Sequence, residues 1–121
     1  MNNMDKRIKE LWIDALKSGE YKQTDSRLRR STGYCCLGVL CDLHHKENPD
    51  DGYWRVHDEY DYMSYCCKEY EYISSTRLPR TVQKWAGLQY DNPVIQGTPL
   101  SNLNDNGKKF PEIADLIEQH L

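Results

Sequence analysis

The chain has 121 residues, enough for one domain whose core needs no metal or disulfide staple. Hydrophobic residues make up 38% of it, and no apolar run approaches the ~20 residues of a membrane-spanning helix. A formal net charge of −3 supplies no basic field for strong nucleic-acid binding, so that class of partner is not expected.

Met1 to Glu10 is polar and charged and does not read as a secretory signal. Ile8, Leu11, Trp12, Ala15 and Leu16 follow the spacing of an amphipathic helix, expected over about residues 4 to 18 and closed by Gly19. Glu20 to Thr24 and Arg27 to Arg29 flank the polar pair Asp25-Ser26. That pattern suggests a hairpin with Leu28 facing the core and Arg27 and Arg29 the other side. Ser31-Thr32-Gly33 is a turn. From Cys35 to about His45 the apolar residues are nearly continuous, and Cys36, Val39, Leu40 and Leu43 share a helical face. A buried helix is expected there, in which Gly38 allows close packing.

Asn48-Pro49-Asp50-Asp51-Gly52 is a turn. Tyr53 to Tyr72 holds six of the nine tyrosines and many acids. Tyr53 to Val56 and Tyr70 to Ile73 read as short strands. The segment between them carries no decisive pattern and is ambiguous; a mobile loop is the reading offered for it. Asp58 to Tyr72 as a whole reads as solvated surface, with a protein-binding or self-associating face as the alternative. Leu78-Pro79 opens a helix that Gly87 closes, with Val82, Trp85 and Ala86 on its buried side. Asp91-Asn92-Pro93 and Gly97-Thr98-Pro99 are turns around the strand-like Val94-Ile95. The last helix, Pro111 to Leu121, buries Ile113, Ala114, Leu116, Ile117 and Leu121.

The expected fold class is therefore α+β: a small antiparallel sheet with N-terminal, central and C-terminal helices packed on it. One domain spans residues 1–121, with a variable insert at about 46–76. Leu11, Trp12, Leu37, Leu40, Leu43, Trp85, Leu103, Phe110, Ile113 and Ile117 are the expected core.

The chemistry-bearing residues give few signatures. Cys36, Cys41, His44 and His45 lie close together, but no C-x-x-C pair or zinc-finger spacing is present. Five cysteines, four of them in adjacent pairs, read as free buried thiols. Asn102, Asn104, Asn106 and Gly107 imitate a calcium loop, yet the position for the bidentate acid is Ile113. Neither a metal nor another cofactor is expected. No nucleophile loop or phosphate-loop fingerprint appears, so no catalytic residue is assigned.

What remains is a set of binding side chains. Arg27 and Arg29 offer guanidinium groups suited to phosphate, and Trp54 with Arg55 offers an aromatic platform beside a cation. Tyr21 is a second aromatic for a base, and Gln23, Asn104 and Asp105 can read a ligand's hydrogen-bonding edge. For Asn104-Asp105 the plainer reading is a turn before the last helix, with both side chains capping backbone N–H groups.

Four motifs carry a resemblance. They are Leu-Trp-x-x-Ala-Leu with Gly-x-Tyr-x-Gln over Leu11 to Gln23, Gly-Tyr-Cys-Cys-Leu-Gly-Val-Leu-Cys-Asp over Gly33 to Asp42, Leu78-Pro79 with Trp85-Ala86-Gly87-Leu88, and Leu-x-x-Leu-Asn-Asp-x-Gly-x-x-Phe-x-x-Ile-Ala over Leu100 to Ala114. In these the chain resembles a family of small bacteriophage-encoded proteins, mostly without assigned function. Lys109 stands where such proteins often carry a capping Ser before Phe. The resemblance implies phage origin and the host cytoplasm, and brings no catalytic residue with it. An accessory protein of this kind is expected to be a non-enzymatic counter-defence protein that sequesters a nucleotide-type immune signal, a phosphorylated small-molecule ligand. The alternative is an inhibitor that binds a host enzyme through the acidic, Tyr-rich insert; association into a homo-oligomer stays open.

Overall fold

The computed structural model describes residues 4–57, 59–68 and 72–121. Among these, five helices and seven short strands form an α+β arrangement. Helix α1 (Lys6–Lys17) starts where the Asp5 carboxylate accepts the Ile8 N–H at 2.9 Å. It ends at Ser18, and Gly19 takes the left-handed conformation (φ 78°) that glycine adopts without strain. Its buried stripe, Ile8, Trp12 and Leu16, packs against α5 (Phe110–His120) and α2 (Cys36–Glu47). The Trp12 indole N–H donates to the Cys36 carbonyl at 2.9 Å, so the largest core side chain leaves no polar atom unpaired.

Helix α2 is the centre of the molecule. Residues 36 to 42 are all buried. An added Cβ at Gly38 would overlap the Leu28 carbonyl oxygen, so only glycine lets this helix approach the Leu28 backbone. Leu28 is fully buried as expected, but the hairpin sits elsewhere. Strand β1 (Arg29–Arg30) pairs antiparallel with β2 (Gly33–Tyr34) around Ser31-Thr32, not around Asp25-Ser26. Residues 20 to 24 contribute only a single bridge, Gln23 to Tyr34. Leu28 N–H instead donates to the Ser75 carbonyl at 2.7 Å.

The stretch expected as an insert supplies most of the sheet: β3 (Gly52–Val56), β4 (Met63–Cys67) and β5 (Tyr72–Ser74). The order is β2-β1-β4-β3, with β5 also on β4, and every pairing is antiparallel. Residues 63 to 67, ambiguous in the sequence and grouped with solvated surface, are the strand on which β1, β3 and β5 converge. Ser64 to Cys67 are buried. Acids and tyrosines on both flanks mask its alternation, while Tyr65 pairs across from Trp54 toward α2. Tyr70 and Glu71, expected to begin the next strand, lie outside the described residues, as does Asp58 of the surface stretch.

Helix α3 (Arg80–Ala86) follows Pro79, with Gly87 left-handed at its end. Strands β6 (Val94–Ile95) and β7 (Thr98–Pro99) make a separate hairpin. Leu100–Asp105 is a helix, α4, so Asn104-Asp105, whose plainer reading is a turn before the last helix, instead ends a helix of its own. Leu100 and Asn104 lie one turn apart on its buried side, and the asparagines hide that period in the sequence. Of the expected core, Trp12, Leu37, Leu40, Phe110, Ile113 and Ile117 are buried, and Leu11, Leu43, Trp85 and Leu103 are half-buried. Lys109 gives α5 no side-chain cap, but the Gln23 carbonyl oxygen accepts the Phe110 N–H at 3.0 Å and serves that end.

Candidate functional site

The eight residues singled out in the sequence fall into four places. Gln23 and Asn104 form a clamp. The Asn104 carbonyl oxygen accepts from Gln23 Nε2 (2.9 Å) and from the buried Cys36 N–H (3.2 Å) at the start of α2. Its amide donates to the Thr24 carbonyl (2.8 Å) and to Asp105 (3.3 Å). Gln23 also donates to the Lys108 carbonyl at 2.7 Å. Both side-chain amides are thus spent on the protein's own chain. The clamp ties residues 23–24, α2 and the α4–α5 connection together. The backbone-capping role foreseen for Asn104 is present, although its targets are distant in sequence.

Tyr21, Arg29 and Trp54 surround Asp42. The buried Asp42 carboxylate accepts from the Tyr21 hydroxyl (2.7 Å) and the Trp54 indole (3.0 Å), and Lys46 Nζ lies 3.6 Å away. Lys46 also donates to the Tyr21 hydroxyl at 2.9 Å. Burial first, and the Asp42 carboxylate second, push the Tyr21 phenol well above its ordinary value, so it stays a donor. The Arg29 guanidinium lies 4.7 Å from the Tyr34 ring centre and 5.3 Å from that of Trp54. Tyr34 contacts Tyr21 and Trp54 edge-on. Behind them the Tyr65 hydroxyl and His44 Nδ1 are 2.7 Å apart, and burial lowers the His44 pKa. This is a packed cluster whose rings touch one another. Asp42 was legible only as the last letter of a motif, although an acid at the end of a nearly continuous apolar run is itself a signal.

Arg55 is exposed on β3, opposite Ser64 and apart from these groups.

Arg27 and Asp105 share a cavity of about 410 Å³, a size within the usual range for small-molecule sites. Arg27 Nη1 donates to Ser75 Oγ at 2.9 Å, and its guanidinium lies 4.1 Å from the Tyr62 ring centre. Two contacts therefore hold a group that precedes the strand expected to hold it. Asp105 Oδ1 accepts the Ser26 N–H at 3.0 Å. The loop between β5 and α3 adds Thr76 and Arg77, and Arg77 has no side-chain partner among the described residues. Asn92 is fixed by a reciprocal pair of bonds to Ser101, 2.8 Å to its hydroxyl and 3.2 Å from its N–H. Asn102 and Pro99 complete that side, with Cys35 below.

The Cys35 thiol is pushed up to about 11 by burial, so it is protonated at neutral pH and a poor nucleophile. Its sulfur accepts the Gly38 N–H at 3.4 Å. All five cysteines are buried, and none is in a disulfide among the described residues. Among the described residues no three His, Cys, Asp or Glu side chains gather closely enough to hold a metal ion, and no helix is long and apolar enough to cross a membrane. Arg77 and Asn92 were not singled out beforehand. Only the Asn92-Pro93 turn gave a local signal, and Arg77 reaches the cavity through tertiary folding alone.

The fold is that of a small α+β domain with a polar cavity lined by Arg27, Arg77 and Asp105. The chain belongs to the family described as a domain of unknown function (DUF8296), whose profile matches residues 4–121. No curated protein and no solved structure matches it.

Proposed function

We propose that this protein binds and sequesters a phosphorylated, nucleotide-type small molecule in the cavity between Arg27, Arg77 and Asp105. The observation that carries the reading is Arg27. Its guanidinium is held at the cavity wall by Ser75 and Tyr62, while Arg77, with no side-chain partner among the described residues, lines the same space. A pre-positioned guanidinium loses little freedom when it takes up phosphate, so more of the interaction appears as affinity. Asp105 keeps one carboxylate oxygen for a donor group. Sequestration needs tight binding and no bond-breaking group. The resemblance to bacteriophage-encoded proteins supports the setting: a counter-defence protein acting in the host cytoplasm on a nucleotide-type immune signal.

Calorimetric titration against cyclic nucleotides and ADP-ribose derivatives tests this. At least one should bind and raise thermal stability, and Arg27→Ala should weaken it about 10- to 150-fold, the worth of a charged hydrogen bond. Binding unchanged in Arg27→Ala would place the site elsewhere. Flat titrations throughout would refute sequestration of a ligand from this panel.

A second reading has its own observation. Tyr53, Val56 and Tyr60 are more than half exposed on β3 and just beyond it. Aromatic side chains presented this way suit a protein partner, such as a host enzyme inhibited by this face. Co-purification of a host protein, lost in Tyr53→Ser and Tyr60→Ser, would favour that reading.

A further inference from the structure

The cavity's lining differs from that of a base-reading site. Its described lining carries two guanidinium groups, one carboxylate, two side-chain amides and several hydroxyls, and among the described residues no aromatic ring lines it. Its less polar members are Cys35 and Pro99, which form no slot with two flat faces. Tyr62 lies close by, but the Arg27 guanidinium already covers its ring. Trp54 and Tyr21 are turned to Asp42 and touch other aromatic rings. Stacking on an aromatic ring is favourable for every base, and the described lining offers no ring on which to stack.

A phosphorylated sugar fits better. Arg27 and Arg77 supply charge for a phosphomonoester. Asp105 is a fixed acceptor: Ser26 N–H and the Asn104 amide hold Oδ1, leaving Oδ2 for a hydroxyl. A carboxylate accepting from ribose hydroxyls is a recurrent arrangement in nucleotide sites. Asp105 would repel a phosphate, so the two functions must be divided between the ends of the ligand. Asn92, locked to Ser101, limits how far the α4 side of the cavity can adjust.

We infer that the cavity recognises a pentose phosphomonoester: Arg27 and Arg77 take the phosphate, Asp105 takes the sugar hydroxyls, and any base stays outside. This rests on the reading of the cavity given above and narrows it to a sugar-phosphate moiety.

Calorimetry with ribose 5-phosphate, AMP, CMP, UMP and adenosine tests it. The four phosphomonoesters should bind within about threefold of one another, and adenosine should not bind, because phosphate supplies most of the charge-assisted contact. Asp105→Asn keeps an acceptor for the Ser26 N–H, so the fold should survive. It should weaken ribose 5-phosphate by about tenfold or more while leaving inorganic phosphate as well bound or better. Arg77→Ala, at a side chain with no partner among the described residues, should weaken all four phosphomonoesters together. Discrimination of more than about tenfold among AMP, CMP and UMP, with ribose 5-phosphate silent, would overturn the inference and leave nucleotide binding standing. Unchanged binding of ribose 5-phosphate by Asp105→Asn would overturn the role of that carboxylate. Flat titrations for all five compounds would overturn the inference, and binding of a cyclic nucleotide or ADP-ribose derivative by the same protein would leave the cavity reading standing.

Discussion

Replacing Asn104 with alanine separates a structural amide from a ligand-reading one. The substitution removes the acceptor of the Cys36 N–H at 3.2 Å and the donor to the Thr24 carbonyl at 2.8 Å. The Cys36 N–H is buried at the start of α2, where no preceding turn can satisfy it. An unsatisfied buried backbone group costs about 1–3 kcal/mol. Water can reach the partly buried Thr24 carbonyl, so it adds less, and the sum is about 2–4 kcal/mol. That is a large share of the ~5–15 kcal/mol that holds a typical domain together. Urea unfolding followed by tryptophan fluorescence reads it as a lower midpoint at unchanged slope. Gln23→Ala should also destabilise, by orphaning the Phe110 N–H. The double variant should fall short of the sum by roughly 0.5–3 kcal/mol, because the two amides share the 2.9 Å bond. A loss below about 0.5 kcal/mol for Asn104→Ala, with ligand binding abolished in protein that is still folded, would refute the clamp.

Gly38→Ala should cost at least ~3 kcal/mol or prevent folding, since the new methyl would overlap the Leu28 backbone, and circular dichroism melting checks it. Stability should fall as pH drops below about 6.5. Burial holds the His44 pKa under its ordinary value, so the unfolded chain binds the proton first; the loss runs from the unfolded pKa down to the folded one, and His44→Asn should flatten it in unfolding measured from pH 8 to 5. All five thiols are buried, and Cys35, Cys36 and Cys41 are further raised in pKa by burial, so a thiol reagent at neutral pH should react slowly in the native protein and rapidly in denaturant. Phe110→Ala should cost about 3–5 kcal/mol in chemical unfolding, the range for deleting a buried ring.

Elements with a strong period and clear punctuation were legible in the sequence. Helix α1 shows its stripe and its closing glycine, and α2 shows a nearly unbroken apolar run. The elements that were missed have side chains serving two environments at once. Strand β4 buries Tyr65 and Cys67 toward α2, while Ser64 and Cys66 are also covered on the other face, so the polar–apolar alternation of a half-solvated strand never appears. Helix α4 hides because Asn104 occupies a core position where a hydrophobic residue would have revealed the turn. Arg27 was singled out for lying on a strand, but Ser75 and Tyr62, 48 and 35 residues further along the chain, are what hold it. No local pattern carries contacts at that range. Arg77 illustrates the same limit, since an arginine before Leu-Pro has no distinguishing neighbour.

The placement of Arg27 shows how so small a domain can hold a cation in a fixed position, as the proposed binding mode requires. A surface arginine samples many rotamers, and ordering it costs up to ~2 kcal/mol of side-chain entropy. Here that cost is met on folding. The hydrogen bond to Ser75 fixes one edge of the guanidinium and the Tyr62 ring covers a face, leaving the remaining N–H groups to reach outward. Tyr62 lies between β3 and β4, and Ser75 follows β5, so both supports come from the sheet formed by the middle of the chain. Asp105 belongs to α4, and its Oδ1 is fixed from the other direction by Ser26. The cavity therefore has its cation positioned by the sheet and its carboxylate by the C-terminal helices. The clamp of Gln23 and Asn104, immediately beside Thr24 and Asp105, sets the spacing between the two. In this arrangement the asparagine preceding Asp105 acts by positioning the aspartate and the chain around it. The adjacent pair Asn104-Asp105 thus divides its work, with Asn104 turned to the fold and Asp105 held through Oδ1, which in the proposed binding mode leaves Oδ2 for the ligand.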